Sequence, residues 1–406
     1  MVPRPALQLV LFDLPIAPLY GGTAEVDFKI RALLDQGLEL HIHAWISPAL
    51  DRQLRSGAVA LPDWSQRVAT LQWYPRPSAL KSWFTTQPHA VASRSGAVMV
   101  EALSRGAKDV LLEGWQVSAC MKSPALRNHR FWVRAHNRES QYYQLQANSS
   151  ESLLKKLYYN IEAFRWLRLE RFMAKDANFR ELKGVLSLCP LETLQYRKEG
   201  LEASYLPAFV RLDYAAPGTD TAMKPLDHPF VLYHGRLDIP DNQRAVRTML
   251  QWAVLCPEFT WVVAGSKASP GMIRQLRSVP GFQWVDTPDD STLATLVQNA
   301  SVHVIPSKGR AGLRLKMIHA LMGKGHVLVP LEAVEGLPWA DWVTTIDHEE
   351  DWFKALRLAL EAPPERAQLE RRHQEIRAHF DPKHNAAMLS DLIFGTDLKK
   401  GISGLG

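Results

Sequence analysis

The residues best equipped to do chemistry lie between Val302 and Leu337. An apolar strand is followed by Pro306 and Ser307, a loop carrying Gly309 and Gly312, and a helix whose first turn holds Arg314 and Lys316. Val302, Val304 and Ile305 form the β-branched run of a buried parallel strand, which Pro306 and Ser307 stop. The glycines let the backbone approach whatever lies beyond the strand's carboxyl end. Cations at a helix start, beside free backbone N–H groups, suit an anion. The chemistry predicted is phosphate binding.

Two other loops follow the same logic, Gly21-Gly22 after residues 7–12 and Gly235-Arg236 after residues 230–234. In open parallel sheets, ligands bind beyond the carboxyl ends of the strands. Two such sheets facing each other would enclose a cleft with most cations on the second side, and a nucleoside diphosphate is its natural occupant. Asp13 and Glu113 end two strands of the first half, which makes them candidates for acceptor contact, and His136 follows a third. Paired glycines are also ordinary turn chemistry, and Glu113 can equally be a capping carboxylate beside Gly114. His41 and His43 alternate on one strand with no third ligand near them, so they are read as structural and no metal site is expected.

Positioning these loops takes alternating strands and helices. Residues 7–12 read as a first strand, Val26, Ile30, Leu33 and Leu34 as a helix stopped by Gly37, and residues 38–46 as a second strand. Further strands are expected near 68–73, 110–113, 131–135 and 184–189, then a loose segment from Pro207 to Pro229 read as a linker. A second set opens at residues 230–235, with strands at 259–265 and 282–285 and helices near 242–255, 271–279 and 292–299. Between the sets, residues 151–183 read as one long helical stretch. There Leu154, Leu157, Tyr158, Ile161 and Phe164 share a face read as core, with a membrane-touching surface as the alternative. The pattern is α/β, with an N-terminal domain over 1–210, a C-terminal domain over 211–380, a last helix over 381–396 and a flexible tail over 397–406.

Composition narrows the function classes. The chain has 406 residues, too many for one core, a formal charge of +6, 46% hydrophobic and 22% charged residues. That balance suits anionic ligands or an acidic membrane surface but is too weak for nucleic acid, and no basic run is interleaved with aromatics. Three scattered cysteines make no disulfide framework or metal knuckle and fit a reducing cytoplasm. No stretch approaches 18 uninterrupted apolar residues and no signal peptide is read at the start. A cytoplasmic protein, peripheral at most to the inner membrane surface, is expected.

These motifs carry a resemblance. The second half is similar to the nucleotide-sugar domain of GT-B glycosyltransferases, especially retaining family 4 and its relatives. YHGRLDIPDNQRAV resembles their strand–Gly-Arg–helix opening, WVVAG their second strand, and VHVIPSKGRAGLRLKMIHALMGKGHVLVP their donor loop and helix. In the first half, PLYGGTAEVDFKIRALLDQGLELHIHAW resembles their glycine loop, and FWVRAHNRESQYY their strand ending in a catalytic-region histidine. The resemblance covers roughly residues 7–395.

It implies two facing Rossmann-like domains with a C-terminal crossover helix, and metal-independent transfer of a sugar from a UDP- or GDP-sugar to a saccharide or lipid-linked acceptor, as in capsular or envelope glycan assembly. It assigns donor binding to Gly21, Gly22, Gly235, Arg236, Gly312, Leu313, Arg314, Lys316 and His319, and catalytic roles to His136, Arg236 and Lys316, with no cofactor beyond the donor. The chain departs from the family at Ala311 and His319, where a Glu-x7-Glu pair is usual, and at Asp241 or Asn242, where a lysine is common. A subgroup with a Pro-x-Asn pattern shares these departures. The competing readings are a sugar-nucleotide epimerase of the same fold and a non-catalytic nucleotide- or glycan-binding component.

Overall fold

The computed structural model describes residues 5–17, 21–77, 85–173, 181–212, 228–307, 309 and 312–402. The chain divides into two compact units. The first comprises Met1–Tyr142, Ile161–Val210 and Phe380–Gly406, and the second Tyr143–Asn160 and Arg211–His379. The division is therefore not a single cut: residues 143–160 belong with the second unit.

The first unit is built on a seven-stranded, wholly parallel sheet: β1 (Ala6–Leu11), β2 (Glu39–Ile46), β3 (Thr70–Pro75), β4 (Asp109–Glu113), β5 (Arg130–Ala135), β6 (Leu182–Ser187) and β7 (Ala203–Tyr205), in the order β3-β2-β1-β4-β5-β6-β7. Leu9 of β1 is paired with Ile42 on one side and Leu111 on the other. All three are fully buried, as continuous apolar runs in a doubly covered sheet require. The helix Gly21–Asp35 lays Val26, Ile30 and Leu33 on this core. The last helix, Pro382–Ile402, adds Ala386, Leu389 and Ile393 to the same core, so the chain's end belongs to the first unit. Pro382 opens it, and the Asp381 carboxylate accepts the Lys383 N–H at 2.9 Å, a capping arrangement.

The second unit has a six-stranded parallel sheet: β8 (Phe230–His234), β9 (Thr260–Gly265), β10 (Phe282–Asp286), β11 (Val302–Val304), β12 (His326–Pro330) and β13 (Thr344–Ile346), ordered β10-β9-β8-β11-β12-β13. Helix Pro240–Leu255 packs Val246, Met249 and Trp252 on it, and Trp252 meets Trp352 with ring centroids 4.8 Å apart.

Three expectations are corrected. The third strand is Thr70–Pro75, two residues later than read, because Leu71 and Trp73 rather than Val68 take the ladder positions beside β2. β7 and β13, three residues each, are additional to the strands read. The last helix continues to Ile402, where a flexible tail was expected from 397: Leu398, Lys399 and Lys400 are good helix formers. The long helix is described over Leu153–Met173, with Leu182 and Lys183 already in β6, and its supposed core face is solvent-exposed: Leu154, Leu157, Ile161 and Phe164 all lie open. Residues 174–180, and most of the Pro207–Pro229 segment read as a linker, lie outside the described residues.

Candidate functional site

In each sheet the strand order reverses direction at one place, β1/β4 in the first and β8/β11 in the second. The loops leaving such a pair diverge and open a crevice at the strands' carboxyl ends. Most of the candidate residues sit at these two places.

In the first unit, Gly21 and Gly22 open the helix itself rather than forming a loop before it; Pro18–Tyr20 lie outside the described residues. A Cβ on Gly22 would stand 3.3 Å from Phe12 and 3.4 Å from His136 Nδ1, so the backbone here comes close to the imidazole and a side chain would crowd it. Gly21, at φ +32, has open space instead. Asp13 lies just past β1 and is partly exposed.

His136 rests on a buried charge network. Lys29 Nζ donates to Glu25 Oε2 at 2.7 Å and to Glu113 Oε2 at 2.8 Å, and Arg134 Nη2 donates to Glu25 Oε1 at 2.8 Å. These four side chains have no exposed surface. Two carboxylates against two cations sum to zero, which makes the burial tolerable. Burial alone would raise the Glu25 pKa, but Lys29, Arg134 and then His136 hold its carboxyl well below the usual range. Arg134 also donates to the carbonyls of Leu206 and Pro207, at 2.7 and 3.0 Å.

His136 Nε2 faces this network, 3.4 Å from Glu113 Oε2 and 3.9 Å from Glu25 Oε2, while Phe12 meets the ring edge-on at 5.7 Å. Nε2 faces the carboxylates and Nδ1 faces Gly22. Glu25, Glu113 and His136 bring three ligand atoms within 4.8 Å of one another, yet Lys29 and Arg134 already take those carboxylates. Glu113 was expected to touch an acceptor. Here it is fully buried, held by Lys29 and next to His136. His43 is structural as read: its nitrogens meet Tyr74 Oη at 2.9 Å and Gln8 Oε1 at 3.1 Å, and burial pushes its pKa down to about 4.

In the second unit, Lys316 is the centre. Its Nζ donates to Tyr233 Oη at 2.7 Å and Asn242 Oδ1 at 2.8 Å, and stands 4.2 Å from the centroid of the Tyr233 ring. Tyr233 Oη donates in turn to Asn242 Oδ1 at 2.7 Å, and Asn242 Nδ2 to the Arg236 carbonyl at 2.7 Å. Asn242 thereby ties the loop after β8 to the cation, and it is Asn242 rather than Asp241 that takes the position next to Lys316. Burial pushes the Lys316 pKa down to about 7; the Asp241 charge opposes this and Arg314 adds to it.

Gly235 lies directly beneath, at φ +156, where a Cβ would be 3.0 Å from Lys316 Nζ and 3.3 Å from Asn242 Nδ2. Gly265 at the end of β9 permits the same loop to pass, since a Cβ there would fall 2.2 Å from the Gly235 carbonyl oxygen. Gly235→Ala is expected to cost about 1–3 kcal/mol of stability through its φ and a larger share of anion binding, because the Cβ crowds Lys316. Thermal melting alongside nucleotide titration separates the two losses.

The other candidates are arranged around this pair. Arg236 is in a two-pronged ion pair with Asp238, its Nε donating at 3.0 Å. Arg314 caps the short helix Leu315–Leu321 rather than lying inside it, and its Nη2 donates to the Gly309 carbonyl at 2.8 Å. Gly309 N–H donates to Glu332 Oε1 at 3.0 Å, and Gly312 takes φ +65. Leu313 is partly exposed beside it. His319 stacks on His234, centroids 5.9 Å apart and planes 13° from parallel, and burial followed by the Arg211 charge pushes its pKa down to about 4. A neutral imidazole therefore stands where the resemblance has a carboxylate; Ala311 lies outside the described residues.

Sequence reasoning missed Lys29 and Arg134, and in the second unit Tyr233, Glu332 and the part played by Asn242. Each reads as an ordinary helix, strand or loop residue.

Comparison with known proteins adds the fold. No protein-family profile matches the chain. Its structure superposes on WaaG, a glycosyltransferase involved in lipopolysaccharide biosynthesis, with a TM-score of 0.62 at 13% identity over 96% of this chain and 100% of that one. OtsA in its apo form gives 0.61 at 13% over 96% and 99%, and TarM gives 0.61 at 9% over 97% and 99%. The chain has the GT-B fold. In sequence it is 21% identical, over 350 residues covering 77% of this chain and 79% of the relative, to an uncharacterized 44.6 kDa protein in the cps region of Klebsiella pneumoniae.

Proposed function

We propose that the chain is a glycosyltransferase that moves a sugar from a nucleoside diphosphate sugar to a saccharide or lipid-linked acceptor. The observation that carries this reading is the Lys316–Tyr233–Asn242 group over Gly235, at the strand reversal of the second sheet. A diphosphate leaving the sugar gains negative charge in the transition state, and a cation fixed beforehand stabilises that charge without rearranging. Lys316 would meet the diphosphate, with Arg314 and Arg236 beside it, and Gly235 would let it approach the backbone. These cations would neutralise the leaving group in place of a metal. His136, presenting Nδ1 beside Gly22, would hydrogen-bond a hydroxyl of the transferred sugar, and Asp13 would contact the acceptor. No buried nucleophile is needed if the leaving phosphate assists the acceptor hydroxyl, and this agrees with retention of configuration. The donor would be a UDP- or GDP-sugar, and the GT-B likeness and the cps-region relative support a part in capsular or envelope polysaccharide assembly at the cytoplasmic membrane face.

The neutral His319 favours a second reading, a member that binds nucleotide or glycan without turnover. Incubation with UDP- and GDP-sugars, following release of nucleotide with and without added saccharides, tests the two. Nucleotide release that falls in His136→Ala supports transfer. Tight UDP or GDP binding with no release from any donor overturns it in favour of the second reading.

A further inference from the structure

The helix Leu153–Met173 is apolar on two sides. Its inner side buries Ala163, Trp166 and Met173, and its only two carboxylates also turn inward. Glu162 accepts the His89 N–H at 2.8 Å, and Glu170 accepts the Ser140 N–H at 3.2 Å. Its outer side carries Leu153, Leu154, Leu157, Ile161 and Phe164, exposed by 82, 81, 59, 44 and 67%. Positions 153, 157, 161 and 164 fall on one stripe through three turns. These five are among thirteen exposed large hydrophobics of the described residues, so the helix concentrates what is elsewhere scattered. Contiguous exposed apolar surface marks an interaction site. Lys155, Lys156, Arg168 and Arg171 are exposed on the same helix. At 3.6 residues per turn Arg168 and Arg171 fall within the stripe, while Lys155 and Lys156 stand off it. The stripe is thus apolar and cationic, with both acids withdrawn.

We propose that this surface docks on an anionic lipid membrane, with the leucines, Ile161 and Phe164 entering the boundary between headgroups and acyl chains and Arg168 and Arg171 lying over lipid phosphates. Charge selects this occupant over a second copy of the chain. A two-fold pairing of the same face would set two cations against two, with no carboxylate to answer them. The proposal gives the membrane contact of the glycosyltransferase reading a surface, but it stands without the donor site, and its test uses no nucleotide.

The full chain is sedimented with vesicles of phosphatidylglycerol and phosphatidylethanolamine, and with vesicles of phosphatidylcholine alone. Binding to the anionic vesicles is expected, weakening as salt rises, with little binding to the neutral ones. Leu157→Asp with Phe164→Asp should lower partitioning at least tenfold. Arg168→Gln with Arg171→Gln should lower it by about ten- to thirtyfold, at roughly fivefold per charge near the surface. Because these side chains are exposed, melting temperatures should match the wild type. Failure of the wild-type chain to bind anionic vesicles, or equal binding to both kinds, overturns the proposal without needing any variant. So does self-association in solution that the Leu157→Asp, Phe164→Asp pair removes, since the face would then belong to a second copy.

Discussion

Lys29→Met is expected to destabilise the first unit by about 3–5 kcal/mol, the scale for removing one partner of a buried ion pair. Lys29 is the only group bonded to both Glu25 and Glu113 among the described contacts, and methionine fills its volume without its charge. Arg134 would still answer Glu25, but Glu113 would keep a buried carboxylate facing only the His136 imidazole. Calorimetric melting checks this, and a change under about 1 kcal/mol would mean that water already reaches the network. Acid tests the same group from the other side. The Glu25 pKa in the fold lies below its ordinary 4.5, so its stabilisation is complete above that value and is lost as pH falls below it, towards the folded pKa. The wild-type melting temperature should therefore drop in acid below about pH 4.5.

Lys316→Met should weaken UDP and GDP binding by about 1.5–3 kcal/mol, the worth of a hydrogen bond to a charged group, or roughly 10- to 150-fold. The pH dependence has a definite sign. With its pKa down to about 7 in the free protein, Lys316 is about half charged at neutral pH. A bound diphosphate favours the charged form and raises that pKa, so binding takes up a proton between the free and bound values. Affinity should fall as pH rises above about 7, by up to tenfold per unit, until the bound pKa is reached. Lys316→Arg, which keeps its charge, should flatten the dependence. Calorimetric titration at pH 6.5 and 8.5 reads both effects, and equal affinities at the two values would show that Lys316 does not titrate with the ligand.

What could be read beforehand follows from which physical signals are local. β1, β8 and β9 are buried on both faces, so their composition alone marks them. Gly235 and Lys316 are legible because a glycine after a strand and a cation near a helix start have few other uses. Tyr233 is not: as a buried residue within β8 it reads as core, and only the fold turns its hydroxyl towards Lys316. Lys29 sits four residues from Glu25 on a helix, a spacing ordinary for a solvated pair, yet the Gly21–Asp35 helix lies against the sheet with that pair inside. Leu154, Leu157 and Phe164 show the reverse. Their spacing gives a face correctly but cannot say whether core or solvent meets it, since a 3.6-residue period records sidedness and not direction. Ala311 and His319 as departures were legible; that His319 stacks on His234 depends on a strand 85 positions earlier.

The most direct test of the donor site is a crystal structure of the full chain with UDP or GDP. The account predicts diphosphate oxygens within hydrogen-bond distance of Lys316 Nζ, seated over Gly235 between the loops that follow β8 and β11. A nucleotide bound elsewhere, with Lys316 still held by Tyr233 and Asn242 and touching no phosphate, would contradict it.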